Sequence, residues 1–184
     1  MNWIRIAASG TVLSTCMLVA PLPALAQQTQ AASTTAANPL PDADKAFVQA
    51  ATQSSSTEID AGKLAMKNSS DKDVKAFARH MIYDHTKLTA QLKMAAPHGV
   101  EVPKDNSDTG VLDSLRPLKG KSFDSAYIQK VGLQGHKDAL EAFHKEASDG
   151  QVPELKQAAQ KGLPVIEHHY QMAQTLARKK GVSE

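Results

Sequence analysis

Thiol and indole groups are almost missing from this chain, which holds one cysteine, Cys16, and one tryptophan, Trp3, both within the first 26 of its 184 residues. Beyond that segment no apolar run reaches the roughly 20 residues a membrane-spanning helix needs. There is no ladder of alternating ten-residue strands of the outer-membrane barrel type. A surplus of one charge is absent too, with 21 Lys and Arg against 19 Asp and Glu. That balance argues against a nucleic-acid partner, which requires a strongly basic face. Gly-rich phosphate loops, nucleophile elbows and cysteine nucleophiles are likewise missing, so no familiar catalytic motif stands out.

What is present at the start is an export signal. Arg5 precedes an apolar run from Ile6 to Ala20, and Ala24-Leu25-Ala26 supplies the small-x-small pattern of a signal-peptidase site before the polar Gln27-Gln28. Residues 1–26 therefore read as a secretory signal peptide cut after Ala26, which places the mature protein in the periplasm or outside the cell. The alternative is an outer-membrane-associated lipoprotein acylated at Cys16, since Leu13-Ser14-Thr15-Cys16 approaches a lipoprotein box. Against that alternative, Thr15 is bulky for the box and the residues after Cys16 stay apolar. Cleavage leaves 158 residues, enough for one domain with a single core. It also removes the only thiol, so a metal site in the mature chain must use nitrogen and oxygen ligands.

Residues 27–41 carry no charge and no large apolar residue except Leu40, and read as a flexible linker. Residues 42–184 read as one domain of four helical segments. The first runs from Asp42 to Asn68, with Phe47, Ala50, Ala51, Ser54, Glu58, Ala61 and Ala65 on one stripe. Glu58 lies only about 20° around the axis from Phe47 at about 100° per residue. The second opens with Ser70 as a cap three residues before Asp73 and ends at Pro97-His98-Gly99. Its inward seam is Val74, Ala78, Met81, His85, Leu88, Leu92 and Ala95.

A connection over 97–121 is long enough to return along the bundle, with one covering turn at Val111 to Leu115. The third segment, Ser122 to Gly150, changes face partway: Phe123, Tyr127 and Val131 lie opposite Leu133, His136, Leu140, Phe143 and Ala147. A one-residue bulge near Gly132 to Gly135 shifts the phase by about 100° and reunites the two faces. Partial burial of both faces is the alternative. The fourth segment runs from Pro153, suited to a first turn, to Lys180-Gly181, with Ala158, Val165, His169, Met172 and Leu176 on one face and Pro164 expected to kink it. Two helices, a long crossover and two more helices predict an all-α, ferritin-like four-helix bundle.

Each helix thus places one metal-capable side chain where an apolar residue is expected: Glu58, His85, His136 and His169. Buried imidazoles and carboxylates need partners, so the four should find one another, water or an ion. Three neutral imidazoles with one carboxylate suit Zn, Fe, Mn or Cu. Two metals bridged by carboxylates, the di-iron pattern, are not indicated. Only Glu141-Ala-Phe-His144 has the Glu-x-x-His spacing, and it sits at the edge of its stripe as a solvated flank. His80 and Asp84, four apart, read as a surface pair, with orientation of a site ring by Asp84 as the other possibility.

In order along the chain, Phe47 to Ala65 with Glu58, Val74-Lys-Ala-Phe-Ala-Arg-His-Met81 followed by Asp84-His85, Gly120-Lys-Ser-Phe123-Asp124-Ser-Ala-Tyr127 followed by His136, and Leu163-Pro164 followed by His169 and Met172-Ala173 resemble the DUF4142 family. The resemblance covers nearly the whole mature chain. It implies an exported bacterial protein of ferritin-like fold, often labelled an outer membrane protein, with recurrent polar positions corresponding to Glu58, His85, His136 and His169. The expectation is an exported cell-envelope bundle that binds one transition-metal ion through its Glu/His cluster. An envelope structural or interaction protein without metal, meeting a protein partner through its exposed faces, is the alternative. A metal-dependent redox or hydrolytic enzyme is the third reading.

Overall fold

A computed structural model of the chain describes residues 40–183, which belong to one compact unit. The expected signal peptide 1–26, the Cys16 alternative and the linker 27–41 fall outside the described residues, except for Leu40 and Pro41. All regular structure among the described residues is helical. The elements are α1 (Asp42–Asn68), α2 (Lys72–Ala95), α3 (Thr109–Leu115), α4 (Gly120–Tyr127), a π-helical stretch (Ile128–Gly135), α5 (His136–Asp149) and α6 (Pro153–Lys180). No described helix is long and apolar enough to cross a membrane.

Helix ends follow local chemistry. The cap of α2 is Asp71 rather than Ser70: its Oδ1 accepts from the backbone N–H groups of Asp73 (2.9 Å) and Val74 (3.2 Å). An ionised carboxylate at this place also meets the positive end of the helix dipole, an advantage a serine hydroxyl lacks. Pro153 occupies the first turn of α6, where its missing N–H costs nothing. At the other end Gly181 adopts φ 67°, the left-handed conformation that closes a helix, and Val182 N–H reaches back to the Ala177 carbonyl at 3.0 Å. The helix is continuous through Pro164.

α1 packs on α2, α2 on α6, α6 on α5 and α5 on α1, so the long helices close a ring. Phe47 near the start of α1 meets Phe143 near the end of α5, ring centroids 5.0 Å apart and edge to face. Ala61 and Ala65 near the end of α1 share a cluster with Phe123 of α4. α4, the π-helical stretch and α5 run on without a break as the third long helix, which is therefore antiparallel to α1. Short turns join α1 to α2 and α5 to α6, whereas the 96–119 connection carries the chain back along the bundle. That connection lies against α1, held by side chains of the Ser/Thr-rich stretch there. Ser56 Oγ donates to the Lys104 carbonyl (3.0 Å), and Asp108 N–H donates to Thr57 Oγ1 (2.8 Å). The expected covering turn is α3, whose Leu112 and Leu115 are buried.

The apolar interior is split in two. One cluster gathers Ala61, Met81, Phe123, Tyr127 and Leu176; the other gathers Phe47, Leu92, Phe143, Leu155 and Ile166. The inward face of α6 is Leu155, Ala159, Gly162, Ile166, His169, Ala173 and Leu176, which shares His169 and Leu176 with the expected stripe but is rotated from it by about 50°. Ala158, Val165 and Met172 lie at its flank, half-buried. The reason is close approach to α5: a Cβ at Gly162 would stand 2.7 Å from Phe143 Cε1. At that point of contact the close-packed interior leaves room for no side chain, and glycine fits.

Truncating the aromatic pair tests this packing. Phe143→Ala removes the contact with Phe47 and opens a void above Gly162. It should cost about 3–5 kcal/mol, read as a fall in the urea midpoint with the native helical circular dichroism retained in buffer.

Candidate metal centre

Between the two apolar clusters lies a polar layer. His85 is the central seam residue of α2, His136 the first residue of α5, and His169 an inward residue of α6; each is only 1% exposed. Their ring centroids are 5.4 to 5.7 Å apart. One nitrogen from each ring lies within 4.8 Å of those of the other two. His136 reaches this layer because of the π-helical stretch. The wide turn shifts the phase of the third long helix, so that Tyr127, Val131 and His136 are all buried in one unbroken run. The bulge expected near Gly132 to Gly135 is thus a full π segment that ends there.

Each ring is held from behind at one nitrogen. The Nδ1 of His136 donates to the Val131 carbonyl at 3.0 Å, five residues back, and Glu58 Oε1 stands 3.3 Å from the same nitrogen. The Nε2 of His169 faces Asp84 Oδ2 at 2.9 Å. The Nδ1 of His85 lies 3.3 Å from Ser55 Oγ. A carbonyl or carboxylate oxygen only accepts, so His136 carries its proton on Nδ1 and His169 on Nε2. The opposite nitrogens, Nε2 of His136 and Nδ1 of His169, then present lone pairs. They and Nε2 of His85 are buried without a partner.

Burial dominates the electrostatics. It pushes His85 well below the ordinary imidazole range, with His136 and His169 adding to the effect, and it lowers His136 to about 4. His169 is also lowered by burial, against the pull of the Asp84 carboxylate. All three rings are therefore neutral near pH 7, the form in which imidazole binds metal. The same burial raises the Glu58 carboxyl well above the usual carboxylate range and the Tyr127 hydroxyl above the usual phenol range. Glu58 Oε2 and Tyr127 OH add two more unpartnered buried oxygens to this part of the core.

All four candidates from the sequence are in this layer, with His85, His136 and His169 converging and Glu58 lying behind His136. The surface pair of His80 and Asp84 does not form. His80 is exposed, and Asp84 turns inward to His169 because a buried imidazole N–H gains more from a carboxylate than an exposed one does. Glu141 and His144 are exposed, as a solvated flank should be, with His144 Nε2 3.9 Å from Glu167. Sequence reasoning missed Ser55 and the buried Tyr127 hydroxyl. The only signal for Ser55 was its spacing from Glu58 on the inner side of α1.

Comparison with known proteins places this chain in a family. None of the curated proteins matches the chain. Among solved structures, a DUF305 protein from Streptomyces coelicolor shares the fold, with a TM-score of 0.63 at 16% sequence identity, over 77% of this chain and 94% of that one. At that identity the likeness concerns the helical, ferritin-like fold alone. The family model for DUF4142, a domain of unknown function, matches residues 27–176. With most of its length matched in this way, the chain belongs to the DUF4142 family.

Proposed function

We propose that this protein binds one transition-metal ion between His85, His136 and His169, in an exported protein whose signal peptide is cut after Ala26. The observation that carries the reading is the convergence of three buried rings, one nitrogen of each within 4.8 Å of the others, together with one nitrogen on each ring that has no hydrogen-bond partner. Leaving a buried acceptor unsatisfied costs roughly 1–3 kcal/mol, and a bound cation would relieve all three at once. Metal–nitrogen bonds of about 2.0–2.1 Å require nitrogens about 3.3–3.6 Å apart, so small side-chain rotations close the site. An all-imidazole set suits Zn²⁺, copper or Fe²⁺ better than the oxygen-seeking Mn²⁺, and three protein ligands leave a coordination position open. Glu58, Asp84 and the Val131 carbonyl hold the rings in place from behind. Export is supported by the family match beginning at residue 27, directly after the expected cleavage site.

A second reading, an envelope protein without metal, draws on the same tethers. Ser55 to His85 links α1 to α2, Asp84 to His169 links α2 to α6, and Glu58 to His136 links α1 to the third long helix. In that reading the polar layer serves only to set helix register.

Metal analysis of periplasmically expressed protein separates the two. The native protein should carry one equivalent of metal, and added Zn²⁺ should raise the melting temperature of the stripped form. The His85→Ala, His169→Ala double variant should lose both effects. A native protein with no metal and no Zn²⁺ response would leave the register reading. Asp84→Asn, which removes the charged acceptor behind His169, should weaken metal affinity by about 10- to 100-fold.

Acid provides an independent check on the metal-free protein. His136 keeps a folded pKa of about 4 against an unfolded value of 6.5, so between those pH values the unfolded chain binds the extra proton. Stability from this residue is therefore lost as pH falls from 6.5 toward 4. Lowering the pH across that window should reduce the urea midpoint more in the wild type than in His136→Gln.

A further inference from the structure

A cavity of about 200 Å³ lies between α1 and the third long helix, and its inner wall is Glu58 and Val131, the two residues that touch His136 Nδ1. Its lining includes the carboxylates Asp108 and Asp138 and no lysine or arginine. Glu58, only 2% exposed, keeps its Oε2 buried and without a partner while its Oε1 stands by His136. Gly135 keeps the wall thin, since a Cβ there would stand 3.1 Å from Glu58 Oε1. The volume leaves room for a divalent cation with water around it.

We infer that this chamber is the port through which a hydrated divalent cation reaches the histidine cluster, drawn in by Asp108 and Asp138 and received at the inner end by Glu58. The inference rests on the metal-binding reading. Acidic walls with no opposing cation concentrate positive ions at a cleft, an effect on rate more than on final affinity. Glu58 stands between the cavity and His136, and its Oε2 has no partner to give up if it turns to the ion. The groove between α2 and α6, lined by His80 and His168, is the competing route; there Asp73 is paired with Lys179 at 2.8 Å, so the groove lacks the unopposed negative charge of the first cavity.

Co²⁺, followed by its visible absorption in stopped flow, is the probe. Asp108→Asn with Asp138→Asn should slow Co²⁺ association by about tenfold at low salt and flatten its salt dependence, with equilibrium affinity nearly unchanged. Ser54→Phe, one helical turn before Glu58 in the same cavity wall, should slow association and dissociation together. Wild-type loading rates in the folded charge variant would overturn the port, as would slowing produced instead by His80→Ala with His168→Ala. If Ser54→Phe does not fold, the charge variant decides alone. Failure of the wild-type protein to take up Co²⁺ at all would overturn the metal reading and the port together, whereas uptake at unaltered rates removes only the port.

Discussion

Three imidazoles lie at mid-height in the bundle, each tethered at one nitrogen by a neighbouring residue and bare at the other. Placing them there interrupts the apolar core and divides it into two clusters. An unpartnered imidazole in hydrocarbon is costly, so the tethers and the packing around them depend on one another. Ser55, Glu58 and Asp84 hold the rings, and in doing so they relate α1, α2, the third long helix and α6 in one register.

The π-helical stretch makes the layer possible. A regular α-helix from Gly120 to Asp149 would carry Phe123, Tyr127 and Val131 to one side and His136 and Phe143 to the other. The wide turn moves the second half round, and the Val131 carbonyl then meets the His136 ring rather than only the backbone. Such a turn costs helix hydrogen bonding and persists where the surroundings favour it. Here the reward is the placement of His136 beside His85 and His169.

A second buried polar device stands at the opposite end of the bundle from Phe123. Asp44 of α1, wholly buried, accepts from the backbone N–H groups of Gln151 (3.1 Å) and Val152 (2.8 Å) at the start of α6. Beside it, burial and the Asp44 carboxylate push Glu146 up to about 7. Two close carboxyl groups share a site most easily when one keeps its proton. The α5–α6 turn is thereby fastened to the first turn of α1.

By itself the sequence determined the class of fold and the list of polar intruders. Helical periodicity, the caps and the long 97–121 connection define the bundle, and His85 and His169 stand out because they occupy the seams of regular helices. His136 was legible only together with a break in phase, since its face is defined by the π stretch. The sense in which Asp84 points, the pairing of Ser55 with His85, and the rotation of α6 that turns Gly162 inward were decided by the tertiary structure. Each depends on which helix lies opposite and how closely it approaches, and periodicity within one helix carries no such information. The same limit applies to the reach of Asp44 to α6: a residue in the first turn of α1 reads as a favourable end charge, and only the folded chain brings Val152 beneath it.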